Sequence, residues 1–174
     1  MGYEILPQPG FPLSLEDEIS KLLKLVDHEF IPPLSSRNST MQQVFNESDR
    51  IDDMWFYHRQ LRAQMNVFIV SEQKLAGLAS FNFLLHIPDI GECAYLTTII
   101  IHPSHRAKGL GRILYEEVAK ILRDRGATRR LVTRTWSTNH SHLPLLEKMG
   151  FREIHRLKDH RAPGIDSIYF EWNV

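Results

Sequence analysis

Hydrophobic positions along the first third of the chain recur at helical spacing, and further on they give way to strand-like runs. Over 13–30, Leu15, Ile19, Leu22, Val26 and Phe30 fall on one stripe. Ser14 and Asp17 are spaced as a capping box, and Pro32-Pro33 stops the helix. A polar connection, 31–48, leads to a second helix expected over 49–65, striped by Ile51, Met54, His58, Leu61 and Met65. His58 sits inside that stripe and reads as a hydrogen-bonded core histidine.

Val67–Val70 predicts a short strand and Leu75–Ile87 a second, separated by a Ser71–Lys74 turn. Glu92–His102 is the third, and its almost continuously apolar or β-branched part, Tyr95–Ile101, predicts a central strand covered on both faces. Leu110, Ile113, Leu114, Val118, Ile121 and Leu122 mark a helix ended by Arg125-Gly126. Leu131–Trp136 is another strand. A short helix follows at about 141–149, with Pro144 in its first turn and Gly150 after its end. Strands over 151–157 and 165–173 close the chain. The predicted order is ααβββαβαββ: an α/β fold, one domain over 1–174, with a mixed central sheet flanked by helices.

Composition narrows the functional classes. The 174 residues are 43% hydrophobic and 24% charged, an ordinary globular balance. Lys plus Arg (21) equals Asp plus Glu (21), so the chain lacks the field of a dedicated nucleic-acid binder. A single cysteine, Cys93, excludes an internal disulfide and a multi-thiolate zinc site. No apolar run approaches the ~20 residues of a membrane span. The N-terminus is not a signal peptide, and Leu6 breaks the myristoylation pattern. The expectation is a cytoplasmic protein without membrane or nucleic-acid partners.

The most informative segment is Ile99–Arg112, which runs from a buried strand directly into a helix. Arg106-Ala107-Lys108-Gly109-Leu110-Gly111 places two glycines at the helix start, where unpaired N–H groups and the positive end of the dipole point outward. Such a terminus cradles an anion such as a pyrophosphate, and Arg106, Lys108 and Arg112 add complementary charge. It is not a Walker A loop, and Leu114 stands where a dinucleotide fingerprint needs a third small residue.

A strand ending in Ile101-His-Pro, then Arg-x-x-Gly-x-Gly, then an amphipathic helix resembles the acetyl-CoA-binding motif of the GNAT superfamily of N-acetyltransferases. Downstream, Asn139 followed eleven residues later by Gly150-Phe151 is similar to a second segment of that family. The resemblance covers roughly 66–157. It implies that the backbone of Ile99, Ile100 and Ile101 binds the pantetheine arm. It implies too that Arg106, Ala107, Lys108, Gly109, Leu110, Gly111 and Arg112 hold the pyrophosphate, and that Asn139 lies near the arm. Acetyl-CoA would be the acyl donor, an amine the acceptor and no metal would be needed. Homodimers are common in the family, although nothing in this chain specifies an interface.

The chain also departs from the family pattern. Where many members carry a tyrosine that protonates the departing thiolate, this one has Leu146, and no carboxylate stands in Tyr95–Thr98 or Thr133–Thr135. A thiolate with a reference pKa of ~8.5 leaves tolerably without an acid, whereas an amine near ~10.4 must lose a proton. Base candidates are Tyr95 and His142 first, then Glu92, His86 and the pair Asp159 and His160. The acceptor pocket is expected from 31–57, the end of the Leu75–Ile87 strand and the 158–164 hairpin. Those segments mix Arg37, Lys158, Asp159 and Arg161 with Phe45 and Trp55, which favours neither a cationic nor an acidic substrate. His102-x-x-His105 and His140-x-His142 read as surface histidines, Arg123, Arg125, Arg129 and Arg130 as a solvated face, and Phe56 as packing. Two activities fit: acetyl transfer to an amine, with the Ile101 N–H steadying the thioester oxygen, or a non-catalytic acyl-CoA sensor.

Overall fold

A computed structural model describes residues 2–37 and 54–174. The strands are β1 (Glu4–Pro9), β2 (Met65–Ser71), β3 (Lys74–Ile87), β4 (Gly91–Ile101), β5 (Arg130–Trp136), β6 (Arg152–Ala162) and β7 (Ile165–Asn173). The helices are α1 (Glu16–Val26), α2 (Trp55–Ala63), α3 (Leu110–Asp124) and α4 (Leu143–Lys148). The seven strands form one mixed sheet in the order β1-β2-β3-β4-β5-β7-β6, and only β4 and β5 run parallel.

Apolar residues alternate between two covered faces. On β2, Val67 and Ile69 join the α3–α4 core, while Phe68 and Val70 join the α1–α2 core. Every residue of β2 is therefore buried. On β4, Ile99 and Ile101 face the α3 side and Ile100 the α1 side, as a strand period of two requires.

Four expectations need correction. Strand β1 is not among the expected elements. It is an edge strand paired only with β2, and two prolines two residues apart can both turn their missing N–H outward. The capping box does not form: α1 begins at Glu16, Leu15 caps it without a side-chain bond, and Ser14 is exposed. Glu16, Asp17 and Glu18 instead load the first turn with negative charge, which suits the dipole. The helix expected over 13–30 is also shorter, because 3-10 turns at Leu13–Leu15 and Asp27–Glu29 flank it. The second helix is described from Trp55, and the expected start at 49–53 lies outside the described residues. Met65 belongs to β2 rather than to that helix. His58 is half-buried, with its Nε2 3.1 Å from Ser20 Oγ.

The sheet opens at its middle. β4 and β5 pair only through Ala94, Leu96 and the residue between them, opposite Leu131, Val132 and Thr133, and then diverge. One residue further along β4, the β3–β4 register slips so that Thr98 faces Ser80 and Leu96 faces Phe81, leaving Thr97 as a bulge. A buried polar network pins this bulge. Gln60 Nε2 donates to Thr97 Oγ1 (3.0 Å) and Thr98 Oγ1 (2.9 Å). Gln64 Oε1 lies 2.6 Å from both Thr97 Oγ1 and Ser80 Oγ.

Candidate active site

The divergence of β4 from β5 leaves a cleft of about 410 Å³. Its walls are the end of β4, residues 133–136 of β5, the loop before α3, the end of α1 and the start of α4. Ladder geometry decides what β4 offers. His102 N donates to Ala76 O at 2.9 Å, and the pairs Ile101–Gly77, Ile100–Leu78 and Ile99–Ala79 continue that register. Hydrogen-bonded and non-hydrogen-bonded pairs alternate in an antiparallel ladder. The N–H and C=O of Ile99 and Ile101 therefore turn away from β3 into the cleft, whereas those of Ile100 belong to the ladder. Arg106 Nε donates to Ile101 O at 3.2 Å from that side.

The loop before α3 has the shape an anion needs. Ala107 (φ 58) and Gly109 (φ 77) are both left-handed, and Gly109 caps the helix. The first helical bond runs from Ile113 N to Gly109 O (3.2 Å), so the N–H groups of Leu110, Gly111 and Arg112 have no partner one turn earlier. A Cβ at Gly109 would meet nothing within 4 Å, so this backbone stands open to a ligand. Gly111 differs. A Cβ there would come 2.9 Å from Leu145 Cδ2, so this glycine serves the approach of α4 to α3 rather than access for a phosphate.

Ten of the eleven expected binding residues line the cleft: Ile99, Ile100, Ile101, Arg106, Ala107, Gly109, Leu110, Gly111, Arg112 and Asn139. Lys108 does not, and its ammonium donates to Ser104 O at 3.3 Å. Arg106 pairs with Glu29 (2.7 Å) and Arg112 with Glu116 (2.7 Å), all of them solvent-facing. Such exposed pairs are worth only ~0–1 kcal/mol and exchange readily for a ligand phosphate. The loop thus fits a pyrophosphate.

Asn139 organises the wall opposite β4. Its Oδ1 accepts from His142 N (3.2 Å) and Ser141 Oγ (3.0 Å), and its Nδ2 donates to Thr135 Oγ1 (3.1 Å). His142 lines the cleft beside it. Its Nε2 lies 2.8 Å from the buried Tyr115 hydroxyl and its Nδ1 3.3 Å from Thr135 Oγ1, so both ring nitrogens are engaged. Burial pulls the imidazole down to about 4, which leaves it neutral at pH 7. Tyr115 was absent from the sequence reading; it occupies the buried face of α3 and points at the residue expected to matter.

Tyr95 does not reach the cleft. It packs with Ile87, Cys93, Val132 and Tyr169, and burial pushes its phenol up to about 12. Leu146 is likewise core. His86 on β3 and Glu92 on β4 are exposed. Asp159 accepts from Gly164 N (2.6 Å) within the hairpin, and His160 Nδ1 lies 2.8 Å from Ser167 Oγ. Among the described residues the only carboxylate lining the cleft is Glu29. His102 Nδ1 accepts from Ser104 N (3.3 Å) and His105 Nδ1 lies 3.1 Å from the Tyr3 hydroxyl, so each histidine is used locally. No group of three His, Cys, Asp or Glu side chains that could hold a metal occurs among the described residues. No helix among them is long and apolar enough to cross a membrane.

The model of the acetyltransferase (GNAT) family matches residues 29–151, well over half of the chain. The chain belongs to the GNAT acetyltransferase family. Among curated proteins, no sequence matches it. Solved structures share the fold at low identity. A candidate GNAT acetyltransferase from Desulfovibrio desulfuricans superposes with a TM-score of 0.68 at 20% identity, covering 99% of both chains. The ribosomal-protein-S18-alanine N-acetyltransferase of Escherichia coli gives 0.64 at 19%, covering 98% of this chain and 92% of that one. A candidate streptothricin acetyltransferase from Bacillus anthracis, in complex with acetyl coenzyme A, gives 0.54 at 16%, covering 64% and 62%.

Proposed function

We propose that this GNAT member transfers acetyl from acetyl-CoA to a primary amine by direct attack in a ternary complex. One observation carries the reading. The cleft-facing backbone of Ile99 and Ile101 leads without interruption to the open helix start at Gly109, a track for an extended arm ending in a pyrophosphate. Acetyl-CoA supplies an activated thioester. The chain binds its phosphates at Leu110–Arg112, aligns its arm along β4, and directs a backbone N–H at the oxygen that gains charge during attack. The Ile101 N–H is suited to that role by its direction.

Proton transfer on the enzyme is economical. Asn139, Thr135 and Tyr115 hold His142 as an uncharged wall of the cleft. Neither it nor the buried Tyr95 has the pKa of an efficient base at pH 7. The amine therefore loses its proton to water, and the enzyme accelerates the reaction by alignment. The test is thiol release from acetyl-CoA over a panel of amines. The kcat/KM of any substrate amine should rise with pH along a limb set by that amine's own pKa. A limb that stays fixed when the amine is changed would indicate a base on the protein. Tight CoA binding without turnover of any amine would make the chain an acyl-CoA sensor instead, a reading favoured by Glu29 being the sole lining carboxylate among the described residues.

A further inference from the structure

Strand β4 changes step where the cleft begins. Ala94 and Leu96 before the bulge, and Ile99 and Ile101 beyond it, all join the α3–α4 core. A strand of period two cannot bring even and odd positions to one face, so the extra residue at Thr97 is what allows it. Thr97 and Thr98 both turn to the α1–α2 side, where both hydroxyls accept from Gln60 Nε2. The pairing of β4 with β5 ends at Leu96 and Thr133, and Thr97, Thr98 and Ile99 line the cavity.

The bulge also decides which backbone groups the cleft receives. Leu96 O accepts from Thr133 Oγ1 at 3.2 Å, so Leu96 turns its carbonyl to the β5 side. Beyond the bulge that side belongs to Ile99 and Ile101; without the extra residue, the phase of Leu96 would carry Ile100 there instead. Apolar packing does not choose between these registers, because Leu96, Ile99, Ile100 and Ile101 are alike in kind. The polar contacts do choose. The Gln60 amide meets the Thr97 and Thr98 hydroxyls in one register, and Gln64 Oε1 accepts from Thr97 on β4 and from Ser80 on β3. Gln60, Gln64, Ser80 and Thr98 are all buried, so a slipped register would part buried amides from the hydroxyls that meet them.

We propose that Gln60 on α2 and Gln64 just beyond it are positioning residues for acetyl transfer. By fixing the Thr97 bulge they aim the N–H groups of Ile99 and Ile101 at the acyl arm and its thioester oxygen. This rests on the acetyl-transfer reading for the use made of those N–H groups. Neither glutamine lines the cavity, so each acts through β4.

The experiment binds acetyl-CoA, isotopically labelled at its thioester carbonyl, to the full chain and reads the infrared band of that carbonyl. An N–H aimed at the oxygen lowers the band below that of free acetyl-CoA. Gln60→Met and Gln64→Met keep the length of the side chain and remove its amide, and each should move the band back toward the free position. Thiol release to the fastest amine of the panel should fall at least about 30-fold. CoA affinity by calorimetry should stay within about fivefold, because the helix start at Gly109 still holds the phosphates. Thr97→Val removes the same contact from the β4 side at a half-buried residue, and decides the matter should a glutamine variant fail to fold. Thr97→Ser keeps the hydroxyl and should keep the wild-type band, with a rate within about threefold. A wild-type band and rate in Thr97→Val overturn the proposal. A CoA affinity that falls in step with the rate also overturns it, since the network would then be structural only. So does a wild-type protein that acetylates amines while its bound thioester absorbs at the free position. Variants that shift the band of a chain that acetylates no amine keep the positioning and overturn acetyl transfer.

Discussion

Arg106, Lys108 and Arg112 at one end of the cleft are exposed and engaged with Glu29, Ser104 O and Glu116, whereas Arg161 at the other end is buried and fixed by a carbonyl and a serine hydroxyl. The ends are both cationic, yet their fixed donors differ in kind. At the α3 end the rigid donors are backbone N–H groups set by two left-handed residues, and the side chains around them are interchangeable surface charges. At the far end a side chain itself is rigid, because Arg161 is taken out of water and tied to fixed acceptors. A backbone cradle recognises any pyrophosphate and is indifferent to what hangs from it. A side chain held in one orientation is selective, since it presents its donors in one fixed geometry. A common donor and an individual acceptor call for this division.

The largest effect should come from breaking the backbone end. Gly109→Asp forces a side chain into a left-handed position and puts a carboxylate where the phosphates belong, so CoA affinity should fall at least about 1000-fold. Arg112→Ala should lower it by less than about tenfold, and by less still at high salt. Calorimetry on folded variants checks both. CoA affinity unchanged in Gly109→Asp would refute the cradle, and a larger loss in Arg112→Ala would reverse the comparison.

Between the ends the wall is kept neutral, and pH can sharpen that contrast. His142 is held near 4 by burial, against ~6.5 in an unfolded chain. Above pH 6.5 both states are neutral and the group costs nothing. As pH falls from 6.5 to 4 the unfolded chain takes up a proton that the fold refuses, so stability declines, by on the order of 3 kcal/mol once pH 4 is reached. His142→Gln removes that term. The wild-type Tm should fall faster than the variant's between pH 7 and 4; parallel curves would mean that the imidazole is not held neutral.

A smaller effect separates the two glycines of the loop. Gly111→Ala meets Leu145 Cδ2, the end of a flexible side chain, and should cost about 1 kcal/mol of stability with CoA affinity within about threefold. Leu145→Ala in the same chain should recover part of that loss in a double-mutant cycle. A selective loss of CoA binding in Gly111→Ala would return this glycine to the cradle.

How much of this was legible in the sequence follows the same division. The α3 end is local: a strand, a loop and a helix start are consecutive in the chain, and their phosphate chemistry is written in the spacing of Arg106, Gly109 and Gly111. The far end of the cleft brings together residues 37, 134 and 161. Its meaning depends on which face of β5 Arg134 takes and on the hairpin turning Arg161 inward, while Lys158 and Asp159 of that hairpin stay in solvent. The arginine between Thr133 and Thr135 in an otherwise buried strand was the available signal. Strand β1 was hidden for another reason, because two prolines disguise an edge strand. Tyr95 was misleading because a central strand covered on both faces gives no period from which to tell the cleft from the core.

Tyr95→Phe should have the smallest effect, and it tests what supports the buried end. The phenol lies in the cluster with Val132 and Tyr169, near enough to Arg134 and Arg161 for their charges to offset part of the upward push of burial. Tyr57 and Tyr169, not Tyr95, accept hydrogen bonds from the arginines of the cleft. If phenols hold the arginines only through those two bonds, Tyr95→Phe should keep kcat within about threefold from pH 6 to 9. Tyr169→Phe, which removes an acceptor from Arg134, should instead raise KM for the amine while sparing CoA affinity. A loss of about 100-fold in kcat for Tyr95→Phe, with CoA still bound, would put this phenol on the proton path despite its distance from the cleft wall.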